Sequence, residues 1–364
     1  MSHIVIDARE WATSTGRYIS SLVRYLDKID SEHDYSILLK PQDIDKANLI
    51  NPRFTKVACP HKEFTFQEQI GLLKQINSLK PDLVHFGKDH QPVLYRGKTV
   101  TTMHDLTTMR FINPDKQPLV FKFKQQVYKR LVKRVANTSD RIITPTEFVK
   151  QDIIAYTGAS ADKITVTYES ADKITDLAEL IDGVVGKRFI MYVGRPTPHK
   201  NLDRLIQAFV ALKGQHPDLH LVLAGKLDAN YQAIQQKVQN EQIANIIFTD
   251  YIDDGQLRWL YEQCEAYVVP SLSEGFGLPG VEAMLHGAPV VSSNATCLPE
   301  VYGNGAHYFD PKDVQSMSNA INEVLTDKQL RARLISAGHI KADSYSWQRM
   351  AQQTLHIYND LLRD

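Results

Sequence analysis

Ala266-Tyr-Val-Val-Pro-Ser-Leu-Ser-Glu-Gly-Phe-Gly-Leu-Pro-Gly-Val-Glu-Ala-Met284 is the stretch whose reading decides the fold. It opens on a short apolar, β-branched run, the pattern of a strand buried on both faces of a parallel sheet. Pro279 suits the first position of a helix, where a missing N–H costs nothing. Gly287 fits the left-handed position that ends such a helix, and Pro289 bars its continuation. The segment is expected to run strand, Gly-rich loop, helix. Gly275 and Gly277 allow the backbone close to a ligand, and a helix start offers N–H groups suited to phosphate. Two carboxylates flank the loop, Glu274 before the helix and Glu282 in its first turn. A glutamate there also favours the helix dipole, so a purely structural reading stays open at this point.

The rhythm of this stretch repeats along the chain. Ile4–Ala8, 35–39, 83–86, 98–103, 141–144 and 164–168 read as strands separated by helical patterns. Strands 188–193, 219–224, 245–248 and 289–291 restart the series after a joint at 170–187. Alternation of this kind predicts a doubly wound α/β architecture. A length of 364 residues favours two domains. The tail, 328–362, reads as helical with a break near Ser344–Trp347.

Composition narrows the function classes. The chain is 43% hydrophobic and 23% charged with zero net charge, so no global field draws it to nucleic acid or membrane. Cys59, Cys264 and Cys297 are far apart and not in metal-ligand spacing, which fits buried thiols in a reducing, cytoplasmic setting. No apolar run approaches ~18 residues, so no membrane span and no signal peptide are expected. One local cluster stands out: Lys122, Lys124, Lys129, Arg130, Lys133 and Arg134, interleaved with Phe121, Phe123, Val127, Leu131, Val132 and Val135. A helix packing its apolar face on the sheet is the favoured reading; a basic amphipathic helix 121–135 on anionic lipid is the alternative.

A second constellation, Met191-Tyr-Val-Gly-Arg-Pro-Thr-Pro-His-Lys-Asn201, again reads as strand, loop, helix start. Arg195 and Lys200 fall where open α/β sheets bind ligands, beyond the carboxyl end of a strand. Two cations there suit a diphosphate, Arg as a bidentate donor and Lys as a point charge. Neither segment carries G-x-G-x-x-G or a P-loop, so nicotinamide and P-loop chemistry lack their fingerprint.

Glu274 and Glu282, eight residues apart around Glu-Gly-Phe-Gly-Leu-Pro, resemble the E-x7-E signature of the retaining, nucleotide-sugar-dependent glycosyltransferases of family 4. Gly194-Arg195 with Lys200 resembles that family's strand-end Arg/Lys pair. Asp7-Ala-Arg9, Thr15-Gly-Arg-Tyr18, Thr102-Met-His-Asp-Leu106 and Thr144-Pro-Thr-Glu-Phe148 resemble its mannosyltransferase-like branch. The resemblance covers nearly the whole chain, from residue 4 to the Trp347 region. It implies the GT-B fold: two Rossmann-like domains facing across a cleft, with the C-terminal helix crossing back. The boundaries that follow are an acceptor-side domain at 1–172, a linker at 173–187, a nucleotide-sugar-binding domain at 188–345 and a crossover helix at 346–364.

The resemblance also implies roles. A hexose moves from a nucleoside diphosphate, with GDP-mannose favoured, to a hydroxyl of a glycan or lipid-linked glycan, with its anomeric configuration retained. No metal and no cofactor are expected, so Arg195 and Lys200 would neutralise the leaving diphosphate. Glu282 would accept hydrogen bonds from the ribose and Glu274 would hold the sugar hydroxyls. Gly275 and the backbone amides of Phe276, Gly277 and Leu278 would approach sugar and phosphate. Gly16 would let the first loop approach the diphosphate, and His104 would lie near the sugar and the attacking hydroxyl. A structural role for His104 at a strand end remains open. Two segments depart from the family pattern: Ser14-Thr15-Gly16, where relatives often have two glycines, and Tyr168-Glu-Ser-Ala-Asp172, in place of an Asn-Gly step. A sugar-nucleotide epimerase of the same fold and a non-catalytic sugar-nucleotide-binding subunit are the rival readings.

Overall fold

The computed structural model describes residues 1–13, 16–63, 65–111 and 118–363, with backbone alone for 118–124. Ser14, Thr15 and the side chains of Phe121, Lys122, Phe123 and Lys124 thus lie outside the described residues. The chain forms two compact units that divide after Glu169, and the C-terminal segment from Ser346 belongs to the first.

The first unit is built on a seven-stranded parallel sheet. Its strands are β1 (His3–Asp7), β2 (Asp34–Leu39), β3 (Phe54–Ala58), β4 (Leu83–Phe86), β5 (Lys98–Thr102), β6 (Arg141–Thr144) and β7 (Ile164–Val166). They lie in the order β3-β2-β1-β4-β5-β6-β7. The order reverses between β1 and β4, which pair from Ile4↔Leu83 to Asp7↔Phe86. A crevice opens at the carboxyl ends of such a pair, because successive crossovers leave in opposite directions.

Helix Gly16–Ile29 buries Ile19, Leu22, Val23 and Leu26, the i, i+3, i+4, i+7 stripe expected of a helix lying on a sheet. The C-terminal helix, Trp347–Arg363, packs on it and buries Trp347, Met350, Ile357, Tyr358 and Leu361. A polar chain anchors that helix: Tyr358 Oη lies 2.5 Å from His85 Nδ1. His85 Nε2 lies 2.8 Å from Thr102 Oγ1, and Thr102 Oγ1 lies 2.9 Å from Tyr18 Oη. Burial, with the charge of His104 adding to it, pushes His85 down to about 3, so its ring is neutral within this chain.

The second unit repeats the plan with six parallel strands. They are β8 (Arg188–Val193), β9 (Leu219–Ala224), β10 (Ile246–Phe248), β11 (Ala266–Val269), β12 (Val290–Ser293) and β13 (Ala306–Phe309). Their order is β10-β9-β8-β11-β12-β13, the dinucleotide-fold order with its reversal between β8 and β11. Helix Leu202–Leu212 covers the sheet with Leu202, Leu205, Ile206, Phe209 and Leu212, all buried in one core. Each such side chain contributes about 1.5–3 kcal/mol by leaving water, and Phe209→Ala would cost about 3–5 kcal/mol. Helix Asp254–Gln263 starts at a capping box, with Asp253 accepting from the Gln256 amide and the Gln256 side chain returning to Asp253.

The sequence reading differs from the structure at several elements. It contains neither β3 nor β13, and it omits helix Leu298–Tyr302. Pro279 occupies the second helical position rather than the first, because the helix spans Leu278–Leu285. Glu282 consequently lies just past the first turn, so the helix-dipole explanation of that residue loses most of its force. The stretch 65–79 is not one α-helix: a π-turn at Glu68–Leu72 precedes α-helix Leu73–Leu79. Among the described residues no helix is long and apolar enough to cross a membrane.

Candidate functional site

β8 and β11 pair in parallel, Ala266↔Ile190 and Tyr267↔Met191, so the loops that follow them leave the same sheet edge together. Three links tie those loops to each other. The Leu272 amide donates to the His199 carbonyl at 2.7 Å. The Asn201 side-chain amide donates to the Pro270 carbonyl at 3.0 Å and to the Pro311 carbonyl at 2.8 Å. Lys200 Nζ lies 2.6 Å from Glu274 Oε1. Asn201 sits in the left-handed region at φ 62°, which turns the chain from the short helical turn Pro198–Lys200 into helix Leu202–Leu212.

Glu274 is the hub. Its Oε1 also accepts from the Ser271 hydroxyl at 2.6 Å. Its amide donates to Thr296 Oγ1 at 3.1 Å, and its carbonyl accepts from the Cys297 thiol at 3.2 Å. Burial works to raise the Glu274 carboxyl, but the Lys200 ammonium and the Ser271 hydroxyl outweigh it and hold the group below its ordinary range. The site therefore keeps an ionised carboxylate in contact with Lys200 at neutral pH.

Helix Leu278–Leu285 begins just beyond this pair, capped by Gly277 at φ 88°. That left-handed conformation favours glycine, and the packing demands it as well: a Cβ there would come within 2.4 Å of Tyr302 Oη. Tyr302 is fully buried and donates to the Gly277 carbonyl at 2.7 Å, which fixes the loop from beneath. The amides of Phe276, Gly277 and Leu278 have no protein acceptor among the described residues. Three N–H groups at a helix start, beside an ammonium, form a place where an oxyanion is stabilised. Phe276 is buried edge-on against Tyr345 at 5.3 Å. Glu282 is 6% exposed on the same helix, and Gly275 is buried in the loop.

The structure thus brings Lys200 against the segment of the second unit that carries Glu274, Gly275, Phe276, Gly277, Leu278 and Glu282. Arg195 lies in the same loop as Lys200, but its side chain is 75% exposed and its guanidinium is 3.7 Å from Asp228. Gly16 and His104 belong to the first unit. Gly16 has its own structural reason to be glycine: a Cβ would overlap the Glu10 carbonyl at 1.8 Å.

His104 follows β5. Its Nδ1 lies 3.1 Å from Glu169 Oε1 and its Nε2 lies 3.1 Å from the Gly87 carbonyl. Tyr18 meets the ring edge-on at 4.9 Å. Burial works to lower His104, but the Glu169 carboxylate outweighs it and raises the ring above its ordinary value. Near the β1–β4 reversal, Arg9 is 2% exposed and bonds Asp7 at 2.7 and 2.8 Å and Glu68 at 3.0 Å, a buried structural triad. A hollow there is lined by Asp7, Arg9, Glu10, Glu63, Lys88 and His90.

The sequence by itself does not single out Ser271, Thr296, Tyr302 or Glu169 as site residues. Thr296 holds φ 54°, which no sequence pattern announces for a threonine. Pro299 near the start of helix Leu298–Tyr302 was the one local signal for Tyr302.

Two family models match the chain: Glycosyltransferase Family 4 over residues 15–172 and Glycosyl transferases group 1 over residues 182–340. The chain is 27% identical to O-antigen chain mannosyltransferase B of Escherichia coli, over 95% of its own length and 96% of that protein's. It is 26% identical to serotype-specific mannosyltransferase WbdA of Escherichia coli, over 99% of its own length, and spans about half of that protein (48%). Sucrose-phosphate synthase from Thermosynechococcus elongatus shares the fold with a TM-score of 0.80 at 17% identity, over 100% of both chains. The chain belongs to the family-4 glycosyltransferases, with the GT-B fold.

Proposed function

We propose that this glycosyltransferase moves mannose from GDP-mannose to a hydroxyl of a glycan or lipid-linked glycan in polysaccharide biosynthesis, with retention and without a metal ion. The observation that carries the reading is the contact of Lys200 with Glu274 beside the amides of Phe276, Gly277 and Leu278. An ammonium and a helix start together suit a diphosphate, and the adjacent carboxylate suits sugar hydroxyls. The names of the relatives favour mannose.

In this mechanism the bond from the anomeric carbon to the diphosphate breaks as the acceptor oxygen bonds to the same face of that carbon. The proton of the acceptor hydroxyl passes to the departing phosphate oxygen. Lys200, Arg195 and the helix amides take up the charge that develops on the leaving group. Arg195 reaches it by a rotamer change, which its exposure permits. Glu274 orients the sugar and Glu282 the ribose. His104 serves the sugar and the attacking hydroxyl, and Gly16 the approach of the first loop. The hollow at the β1–β4 reversal, with its carboxylates and cations, suits the acceptor's hydroxyls.

Peripheral contact with anionic lipid through helix Pro118–Thr138 forms part of the proposal. Val132, Val135 and Ala136 are buried in the core, while Arg130, Lys133 and Arg134 are exposed, so any lipid contact is electrostatic along this part of the helix. The deciding experiment is a thermal-shift and transfer screen across UDP-, GDP- and ADP-sugars. Stabilisation and turnover with GDP-mannose are expected; selective stabilisation by another donor would overturn the donor assignment. Turnover of donor without an acceptor would favour an epimerase instead.

A further inference from the structure

We propose that Glu169 is a positioning residue that holds His104 as an imidazolium, so that His104 serves the reaction as a cation and not as a general base. The geometry carries this. Nδ1 faces a carboxylate oxygen at 3.1 Å and Nε2 faces a backbone carbonyl at 3.1 Å. Neither partner has a proton to give while the carboxylate is ionised, so both ring nitrogens must donate. A neutral ring would set one lone pair against an acceptor. The His104 side chain is 19% exposed and that of Glu169 is 6% exposed, so water screens the pair weakly.

The other groups around the ring fit this assignment. From helix Gly16–Ile29, Tyr18 contributes an edge-on phenol that is itself hydrogen-bonded to Thr102. From the β4 end, Lys88 opposes the charge, but it is paired with Glu10 at 2.9 Å. His85, on β4, is neutral and adds no competing cation. Asp105 adjoins His104 in the chain and accepts from the Thr107 amide. Glu169 is therefore the carboxylate in contact with the ring, and the raised value of His104 has that contact as its cause.

The chemical consequence rests on the role given to His104 above. An imidazolium has no lone pair for the acceptor's proton, which leaves the departing phosphate as its destination. Both of its N–H groups are held by Glu169 and Gly87, so it acts on a sugar or phosphate oxygen through its charge. Glu169 is also the residue at which the chain passes from the first unit to Ser170 of the second.

Ring-nitrogen NMR of the full-length, histidine-labelled chain tests the assignment without depending on activity, with His104 identified by loss of its signal in His104→Asn. Both ring nitrogens should be protonated near neutral pH in the native chain and in Glu169→Asp. The ring should be neutral there in Glu169→Gln. A neutral ring in the native chain, or a charged one in Glu169→Gln, overturns the proposal. The native spectrum decides the protonation state even if Glu169→Gln does not fold. In transfer assays the native rate should fall as pH rises through the raised His104 value. Glu169→Gln should show that fall at lower pH, with a deficit roughly tenfold greater at pH 8 than at pH 6. An unmoved pH profile would reduce Glu169 to packing. If the chain transfers no sugar from any donor, the functional reading fails while the NMR result still stands or falls alone.

Discussion

Replacing Lys200 with alanine separates what the ion pair does for the fold from what it does for the reaction. The variant leaves the Glu274 carboxylate with the Ser271 hydroxyl as its remaining side-chain donor among the contacts described. Hydrogen bonds to charged groups contribute about 1.5–3 kcal/mol. The Lys200 and Glu274 side chains are 23% and 14% exposed, which places the loss near the middle of that range, about 2 kcal/mol. For a domain of this size that is a drop of about 4–8 °C in Tm.

The same ammonium, if it neutralises the leaving diphosphate, supplies about 2.7–4 kcal/mol in the transition state, or about 10²–10³ in kcat. Differential scanning fluorimetry and steady-state transfer kinetics on the same preparation therefore give two separable numbers. The acid dependence supplies an internal control. Glu274 is held below its ordinary value, so its contribution is present above the unfolded carboxylate range and is lost as pH falls through the folded value. The Tm gap between native and variant should therefore narrow in acid. Activity within tenfold of native, alongside the full loss in Tm, would show that Lys200 serves the fold alone.

Four further outcomes follow from single contacts. Glu282→Gln keeps the shape of a buried side chain and should weaken GDP binding by about 10-fold or more in isothermal titration, since ribose hydroxyls lose a charged acceptor; unchanged affinity would refute the ribose role. Tyr302→Phe leaves the Gly277 carbonyl with the Gly280 amide as its donor and should lower stability by about 0.5–1.5 kcal/mol in urea titration, and it should also blunt stabilisation by nucleotide; a neutral effect on both would show that the loop holds itself. His85 is neutral in the fold at about 3 and charges earlier when unfolded, so native stability should fall as pH drops from about 6.5 towards 3, and His85→Gln should flatten that slope; parallel slopes would refute it. Neutralising Lys129, Arg130 and Lys133 together should reduce co-sedimentation with phosphatidylserine vesicles while Tm changes little; unchanged sedimentation would leave the helix as a packing surface.

The alternation of strand and helix, the strand–loop–helix at 266–287 and the family itself were legible in the sequence, because period and turn chemistry report local burial and backbone need. Gly287 does adopt the left-handed φ of 76° that was expected of it. The elements that escaped are those with weak local signals. β3 is a sheet-edge strand whose Thr55, Lys56 and Ala58 are exposed, so its alternation is faint. β13 is a four-residue edge strand in which His307 and Tyr308 are only half-buried.

What only the tertiary structure decided is which chemistry meets. Strand order places β11 beside β8, and this alone brings Lys200 to Glu274 across 74 residues of sequence. The same long-range packing seats Tyr302 under Gly277 and leaves the carboxylate of Glu169 against His104, 65 residues apart. Sequence patterns carry the energetics of single elements. Sheet order is set by how all the buried faces are shared, and no stretch of residues holds that information by itself.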